Sequence, residues 1–482
     1  MTCRTAIHIL PHTTMIAVSY LKKALQRRYD AAAGLALLLI VSASKAAILN
    51  LPYNWDEMGA YMTPAHWLAQ GSLLRAFPGF HPPYMFFGHP PALYVSVALL
   101  FKLFGEQIWI AHAFIICVSF LGVYFTYLLA ACLSNRTTGF LASLFLFFSP
   151  LYFAQSGMVQ GDIVITALGV ICVYCFFREK YAAYLLCGML LVMTKESGAA
   201  VILSIAVYAW LDRKKDQDGT MAALLYSAPL LLLGLFFLWQ KIETGMFLPN
   251  QYFGANRFFT ITGRSLTWAF VRQGRIIMTL LIIAAFLLRK RAWKEEFTLF
   301  LLIFLSVAGT YSFIYCTARY VLPVFPFYFI LGAYAVSLLF GNSKRLIAAC
   351  AGIIGLFAAL QYGAGTGSHG GYEEDMQYVD VVLNHKAVCA YVEKTFPGKS
   401  VLAEWPLNEA MRHPFLGYVI RPLKVVAAGK PYDVVVFTRQ GSPDNDALAT
   451  LKNLHSEKVF ERNGKYAEVF LANSAAALHE EK

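Results

Sequence analysis

Three features of this sequence predict an all-α polytopic membrane protein with a small α/β tail. Apolar residues make up 58% of the 482 and charged residues 14%, where soluble domains carry about 25% charge. Apolar runs close to the length that crosses a bilayer as a helix recur between about residues 31 and 362. Beyond about residue 372 the material changes, with more charge and shorter apolar runs. The mean hydropathy of +0.55 agrees with that division of the chain.

The first span is expected at about 31–51. Residues 1–30 hold Lys22, Lys23, Arg27 and Arg28 but no clean apolar core ahead of them. They read as a basic, cytoplasmic flank on an uncleaved anchor rather than a signal peptide. Further spans are expected at about 108–133, 138–153, 163–177, 181–194, 199–211, 221–240, 268–288, 297–315, 321–340 and 346–362. That makes about eleven and places the C-terminus outside. The stretch Ala92-Leu93-Tyr94 to Gly105 is apolar but short, so it reads as an interfacial or re-entrant helix. Skipping it keeps the loops near Arg136, Arg178/Lys180, Arg213–Lys215, Arg289–Lys294 and Lys344/Arg345 inside, with the basic N-terminus.

The formal net charge of +12 would suit nucleic acid. The bases lie in short loops between apolar spans, however, so the charge is read as topology and nucleic-acid binding is set aside. Cys172 and Cys175 form a C-x-x-C inside an apolar run with no second pair, which reads as packing rather than metal or redox chemistry. The tail holds only Cys389, so no disulfide closes within it. Asn135-Arg136-Thr137 is a formal glycosylation sequon on the expected cytoplasmic side. Gly365, Gly367 and Gly370 satisfy G-x-G-x-x-G only formally, since no strand precedes them; a flexible linker fits better.

The tail, about 363–482, is expected to be a Gly-rich linker and an extracytoplasmic α/β domain. A helix is read near 375–394, strands near 400–404, 423–427, 433–438, 458–461 and 467–471, and a second helix near 444–454. It carries no nucleophile elbow or metal cluster.

The candidate chemistry sits at the ends of spans. Asp56 and Glu57 follow the first span directly, where carboxylates are costly to keep beside hydrocarbon. On the expected topology Asp56, Glu57, His89, Asp162, Lys195, Glu196 and Arg319 all fall on the outer face, as one outward-facing site requires. Arg257, Arg264, Arg272 and Arg275 lie outside against the charge rule. Two readings stand for them: headgroup contact, or an anion site for a lipid phosphate. Plainer readings stand beside the others too. Asp56-Glu57 would favour the positive end of an interfacial helix, His89-Pro90-Pro91 would stiffen a helix entry, Lys195-Glu196 would form an ion pair, and Arg319-Tyr320 would anchor at the interface.

Beside these readings stands the order of short motifs. Asn-Trp-Asp-Glu-Met-Gly-Ala-Tyr (54–61), Gly-His-Pro-Pro (88–91), Gly161-Asp162, Thr194-Lys195-Glu196 and Ala318-Arg319-Tyr320 occur in one sequence. In that order they resemble the C-type polytopic glycosyltransferases. The resemblance lies within the branch holding protein O-mannosyltransferases, lipid A aminoarabinose transferases and rhizobial galacturonosyltransferases, and it covers about residues 31–340. It implies sugar transfer from a polyprenyl-phosphate donor to an acceptor hydroxyl at the outer face of a cell membrane. By position it implies Asp56 as catalytic base with Glu57 as its acidic neighbour, a ligand for acceptor or sugar. His89, Lys195 and Arg319 become donor or phosphate contacts and Asp162 the acid of the second outer loop. Glu196 is grouped with Asp162 as a loop acid, and Arg257 and Arg264 are read as donor-phosphate contacts from their charge alone. The resemblance leaves a divalent metal open, and the acceptor open among protein, lipid and glycan. Two alternatives share the carrier chemistry: a flippase for a lipid-linked saccharide, or a glycan ligase. No internal repeat of the transporter kind is visible.

Overall fold

The computed structural model describes residues 12–80, 89–212, 219–247, 263, 266–289, 294–312, 317–341, 344–362, 373–427, 430–438, 457–462 and 467–471, with only the backbone for 12–25, 457, 461–462, 467–468 and 470–471. It is a helical bundle with a five-stranded sheet domain at its end. The bundle helices are α1 (His12–Lys45), α2 (Thr63–Gln70), α3 (Ala92–Phe104), α4 (Ile108–Leu133), α5 (Arg136–Phe148), α6 (Pro150–Gln155), α7 (Gly161–Phe177) and α8 (Tyr181–Thr194). They continue with α9 (Ala199–Leu211), α10 (Gly219–Thr244), α11 (Arg275–Leu288), α12 (Phe297–Ser312), α13 (Phe325–Phe340) and α14 (Lys344–Ala359). Four apolar stretches, Gln26–Ile48, Ile108–Leu133, Gly219–Thr244 and Ala318–Phe340, are long enough to cross a membrane by themselves, and most of the rest are shorter apolar helices. Each expected span has a helix at or near its place.

One expected span is divided. Over 138–153 the chain breaks at Ser149-Pro150, so α5 ends and α6 begins. Proline has no N–H and its ring clashes with the preceding turn, so it starts a helix more readily than it continues one. The break lets the chain turn toward Gln160 and the start of α7. At the other end of α5, the Asn135 side chain accepts the Thr138 N–H at 2.9 Å. Such a cap contributes about 0.5–2 kcal/mol.

Helix α4 packs against α5 and α7, α13 against α5 and α11, and α9 against α10 and α12. Their shared core includes Ala111, Val123, Ala130, Phe145, Ile165, Phe300, Phe327 and Ala333, all fully shielded. The short helix α3 lies along α2, and Lys102 Nζ donates to the carbonyls of Ala69 and Gly71 at the end of α2.

The tail comprises α15 (Gln377–Thr395), β1 (Ser400–Ala403), α16 (Leu407–Arg412), β2 (Lys424–Val426), β3 (Val434–Phe437), β4 (Glu457–Arg462) and β5 (Ala467–Leu471). The strand order is β2-β1-β3-β5-β4. Strand β1 runs parallel to β2 and β3, while β5 is antiparallel to β3 and β4. Val382, Val388 and Val392 of α15 share one buried apolar cluster with the sheet valines Val401, Val434 and Val436. The expected helix near 444–454 lies outside the described residues, and α16 between β1 and β2 was not anticipated.

Candidate active site

The Asn54–Glu57 turn is built from its own backbone. Glu57 N–H donates to the Asn54 carbonyl at 2.8 Å, and the Asn54 N–H donates to Glu57 Oε2 at 2.7 Å. The second bond is the acidic half of a capping box, a carboxylate reaching back to the N–H three residues earlier; the first closes a backbone turn. Trp55, between them, takes a left-handed backbone with φ of 40°, a conformation that costs a non-glycine residue about 1–3 kcal/mol. The turn sends the two carboxylates apart. Glu57 goes inward, where its Oε1 also accepts the Val159 N–H at 2.6 Å. Asp56 goes to Arg319.

Arg319 is the hub. It sits on the short 3-10 turn Ala318–Val324 that leads into α13. Its Nη2 donates to Asp56 Oδ2, its Nη1 to Glu373 Oε2, and its Nε to Asp162 Oδ2 at 3.2 Å. Asp162 lies in the first turn of α7, where the helix dipole favours a carboxylate. Its other oxygen accepts Lys195 Nζ at 2.7 Å. Lys195 ends α8, and its ammonium also stands 4.0 Å from the centre of the Tyr320 ring. Two cations therefore face three carboxylates in one network.

The network brings together four residues singled out by sequence: Asp56, Asp162, Lys195 and Arg319. Three of the side chains are almost wholly buried, whereas that of Asp56 is 38% exposed and lies at the open side. Glu196 lies next to Lys195 and pairs with His89, Nδ1 to Oε2 at 2.9 Å. That places His89 beside the site with one ring nitrogen held by a carboxylate rather than directed at a phosphate. The expectation that Glu57 contacts acceptor or sugar does not suit its geometry. It is 2% exposed, and each carboxylate oxygen already accepts a backbone N–H. Glu57 instead ties the Asp56 turn to the segment that leads to Asp162.

Arg257 and Arg264 lie outside the described residues. Arg272 stacks on Trp268, its guanidinium carbon 4.2 Å from the ring centre. Arg275 is fully buried and donates to Gln273 Oε1 at 2.8 Å and to the Trp268 carbonyl at 2.5 Å. Among the described residues no three side chains of His, Cys, Asp or Glu stand together as ligands for an ion, and no step is assigned to one.

Sequence reading missed Glu373. It opens the described part of the tail and reaches into the bundle, where its Oε1 accepts Gln160 Nε2 at 2.8 Å and its carbonyl accepts Gln155 Nε2 at 2.9 Å. Next to it, the Glu374 carbonyl accepts Gln273 Nε2 at 2.7 Å. Burial pushes the Glu373 carboxyl up to about 7, against the downward pull of Arg319. The only hint in the sequence was the acidic run Glu373-Glu374-Asp375 after the glycines, a composition that reads as solvated linker.

The tail also touches the motif turn. The Trp405 and Trp55 rings meet edge to face, 6.0 Å apart. A side chain at Gly59 would come within 2.9 Å of the Trp405 ring. The Tyr53 N–H donates to the Leu416 carbonyl at 3.3 Å, and Tyr418 Oη donates to the Tyr53 carbonyl at 2.9 Å.

The helical bundle with its small C-terminal sheet domain has the C-type polytopic (GT-C) fold. The family model for dolichyl-phosphate-mannose-protein mannosyltransferases matches residues 88–239. ArnT from Cupriavidus metallidurans in its apo state is similar over 94% of this chain and 99% of its own, with a TM-score of 0.58 at 14% identity. The same protein bound to undecaprenyl phosphate is similar over 92% and 98%, with a TM-score of 0.58 at 13% identity. No curated protein matches the chain by sequence.

Proposed function

We propose that this protein transfers a sugar from a polyprenyl-phosphate donor to an acceptor hydroxyl at the outer face of a cell membrane, by a single inverting displacement. The observation that carries the reading is Arg319, which joins the half-exposed Asp56 to the Asp162–Lys195 pair in one network. The similarity to a protein solved with undecaprenyl phosphate supports the choice of carrier. Residues 1–362 form the catalytic unit in this reading, and 363–482 form the linker and outer domain. The N-terminus is cytoplasmic.

The chemistry follows from that arrangement. The acceptor oxygen bonds to the anomeric carbon as the bond from that carbon to the phosphate oxygen breaks. The electron pair leaves with the polyprenyl phosphate, and the acceptor proton passes to the Asp56 carboxylate. Charge builds on the departing phosphate, so cations aimed there bind the transition state better than the ground state. Arg319 and Lys195 take that role, with Arg257 and Arg264 as further donor contacts. A carboxylate is a weak base for an alcohol, but it serves once carbon–oxygen bonding has made the hydroxyl acidic. Glu57 positions the turn, and the His89–Glu196 pair borders the donor side. Donor sugar and acceptor stay open among lipid, glycan and protein hydroxyls.

The test uses purified protein with a panel of radiolabelled polyprenyl-phosphate sugars, wild type beside Asp56→Asn. The expected result is release of polyprenyl phosphate by wild type and a loss of about 10²–10⁴-fold in the variant, with donor binding kept. Donor binding without turnover across a broad acceptor panel favours a flippase and overturns the transferase. Turnover that survives in Asp56→Asn keeps the enzyme and removes the base from Asp56.

A further inference from the structure

The network around Arg319 has the wrong sign for its proposed ligand. A phosphate must approach a guanidinium whose Nε, Nη1 and Nη2 each already donate to a different carboxylate. Three carboxylates against two cations would repel an added anion. One carboxylate has to yield.

The partners of each oxygen identify which one. Asp162 uses one oxygen on Lys195 and the other on Arg319, from the first turn of a packed helix. Releasing it would take from the buried Lys195 its carboxylate partner. Asp56 is the base that the transfer needs in its charged form. Glu373 alone comes from outside the bundle, on the tail segment after α14, and it occupies Nη1. Its other oxygen is met by the Gln160 amide. Among the described residues the buried Oε1 of that amide has no partner, so a flip of the amide would present an acceptor to a protonated or amide side chain at position 373. The cradle around Glu373 can thus hold it charged or neutral.

We infer that Glu373 is a stand-in for the donor phosphate. Its carboxylate holds Arg319 Nη1 in the donor-free protein, and it takes up one proton from solvent when the phosphate arrives. The neutral acid then donates its O–H to the incoming phosphate oxygen or to Gln160, and Arg319 Nη1 passes to the phosphate. This inference rests on the polyprenyl-phosphate reading and deepens it, because it makes donor binding proton-coupled and gives the tail a part in it. Arg319 and Asp56 face Glu373 directly, with Glu57 behind them; Asp162 and Lys195 stand on the far side of Arg319. The elevation of the Glu373 carboxyl to about 7 agrees with easy proton uptake.

The experiment measures binding of undecaprenyl phosphate to the full-length protein in detergent from about pH 5.5 to about pH 8.5. Wild type, Glu373→Gln and Glu373→Ala are compared. The lipid phosphate itself titrates near pH 6, but the ratio of wild-type Kd to variant Kd cancels that. The expected ratio is about one at the acid end, rising to on the order of tenfold at the alkaline end, where only wild type carries the competing charge. Glu373→Ala should give the same slope from a side chain that makes no hydrogen bond, which separates charge from packing. A ratio that does not change with pH, or variants that bind more weakly throughout, overturns this inference and leaves the carrier reading intact. No binding by any of the three proteins overturns both.

Discussion

At Glu57 both carboxylate oxygens accept backbone N–H groups, from Asn54 and from Val159, while the adjacent Asp56 turns to Arg319. The first arrangement is structural, because replacing one oxygen by an amide N–H₂ sets a donor against a buried donor. Leaving such a group unsatisfied costs about 1–3 kcal/mol. Glu57→Gln is therefore expected to lower the thermal midpoint by several degrees, and Asp56→Asn, at the open side, to leave it nearly in place while cutting turnover by about 10²–10⁴-fold. Equal midpoints for the two variants would remove the distinction. How much of this was legible differs from residue to residue. The spacing from Asn54 to Glu57 is visible in the sequence, and so is the placing of Asp56, Asp162, Lys195 and Arg319 at span ends. What was not visible is the direction of each side chain. That depends on the left-handed turn at Trp55, and nothing in a bare tryptophan announces it.

At the scale of elements, the tail is a clamp on the motif turn. Trp405 follows β1 and lies against Gly59 and Trp55, while Leu416 and Tyr418 bond to the Tyr53 backbone on the other side. The segment that bears Asp56 is thereby held from both ends by a domain more than 300 residues away in the chain. Overfilling a close contact costs about 1–3 kcal/mol. Gly59→Val is expected to lose stability in that range and to reduce turnover, and Trp405→Phe in the same molecule to restore part of both. A double-mutant cycle measures the coupling; independent, additive losses would show that the two residues do not press on one another. Strand and helix periodicity made the tail's own elements readable, with β5 found at 467–471 as expected. Its docking on the turn was not readable, because a glycine packed under a tryptophan looks like any other glycine in sequence. The same holds for Glu373, whose acidic neighbourhood imitates a solvated linker.

For the molecule as a whole, the direction in the membrane decides which compartment the network faces. At the end of the bundle away from the Asp56 turn, Asp30 near the start of the first apolar stretch pairs with Arg136 at the start of α5, Oδ1 to Nε at 2.8 Å, and also accepts Tyr127 Oη at 2.7 Å. The basic loops near Arg178/Lys180 and Lys344/Arg345 are read on that same side, and the charge rule assigns such loops to the cytoplasm. The shortness of many helices does not weaken the argument, since orientation follows from loop charge and not from helix length. With eleven bundle helices from α1 to α14 taken as spans, and α2, α3 and α6 left out, the tail comes to lie outside with the Arg319 network beneath it. A bacterial alkaline phosphatase fused after Lys482 is then expected to be active, and a green fluorescent protein at the same place to stay dark. Fusions in the loop near Arg213–Lys215 should behave in the opposite way. Phosphatase activity at the loop and fluorescence at the tail would turn the molecule over, put Asp56 in the cytoplasm and remove the outer-face donor from the proposed reaction. An active phosphatase at both places would keep the tail outside but require an even number of spans between them, where this reading counts five, α10 to α14.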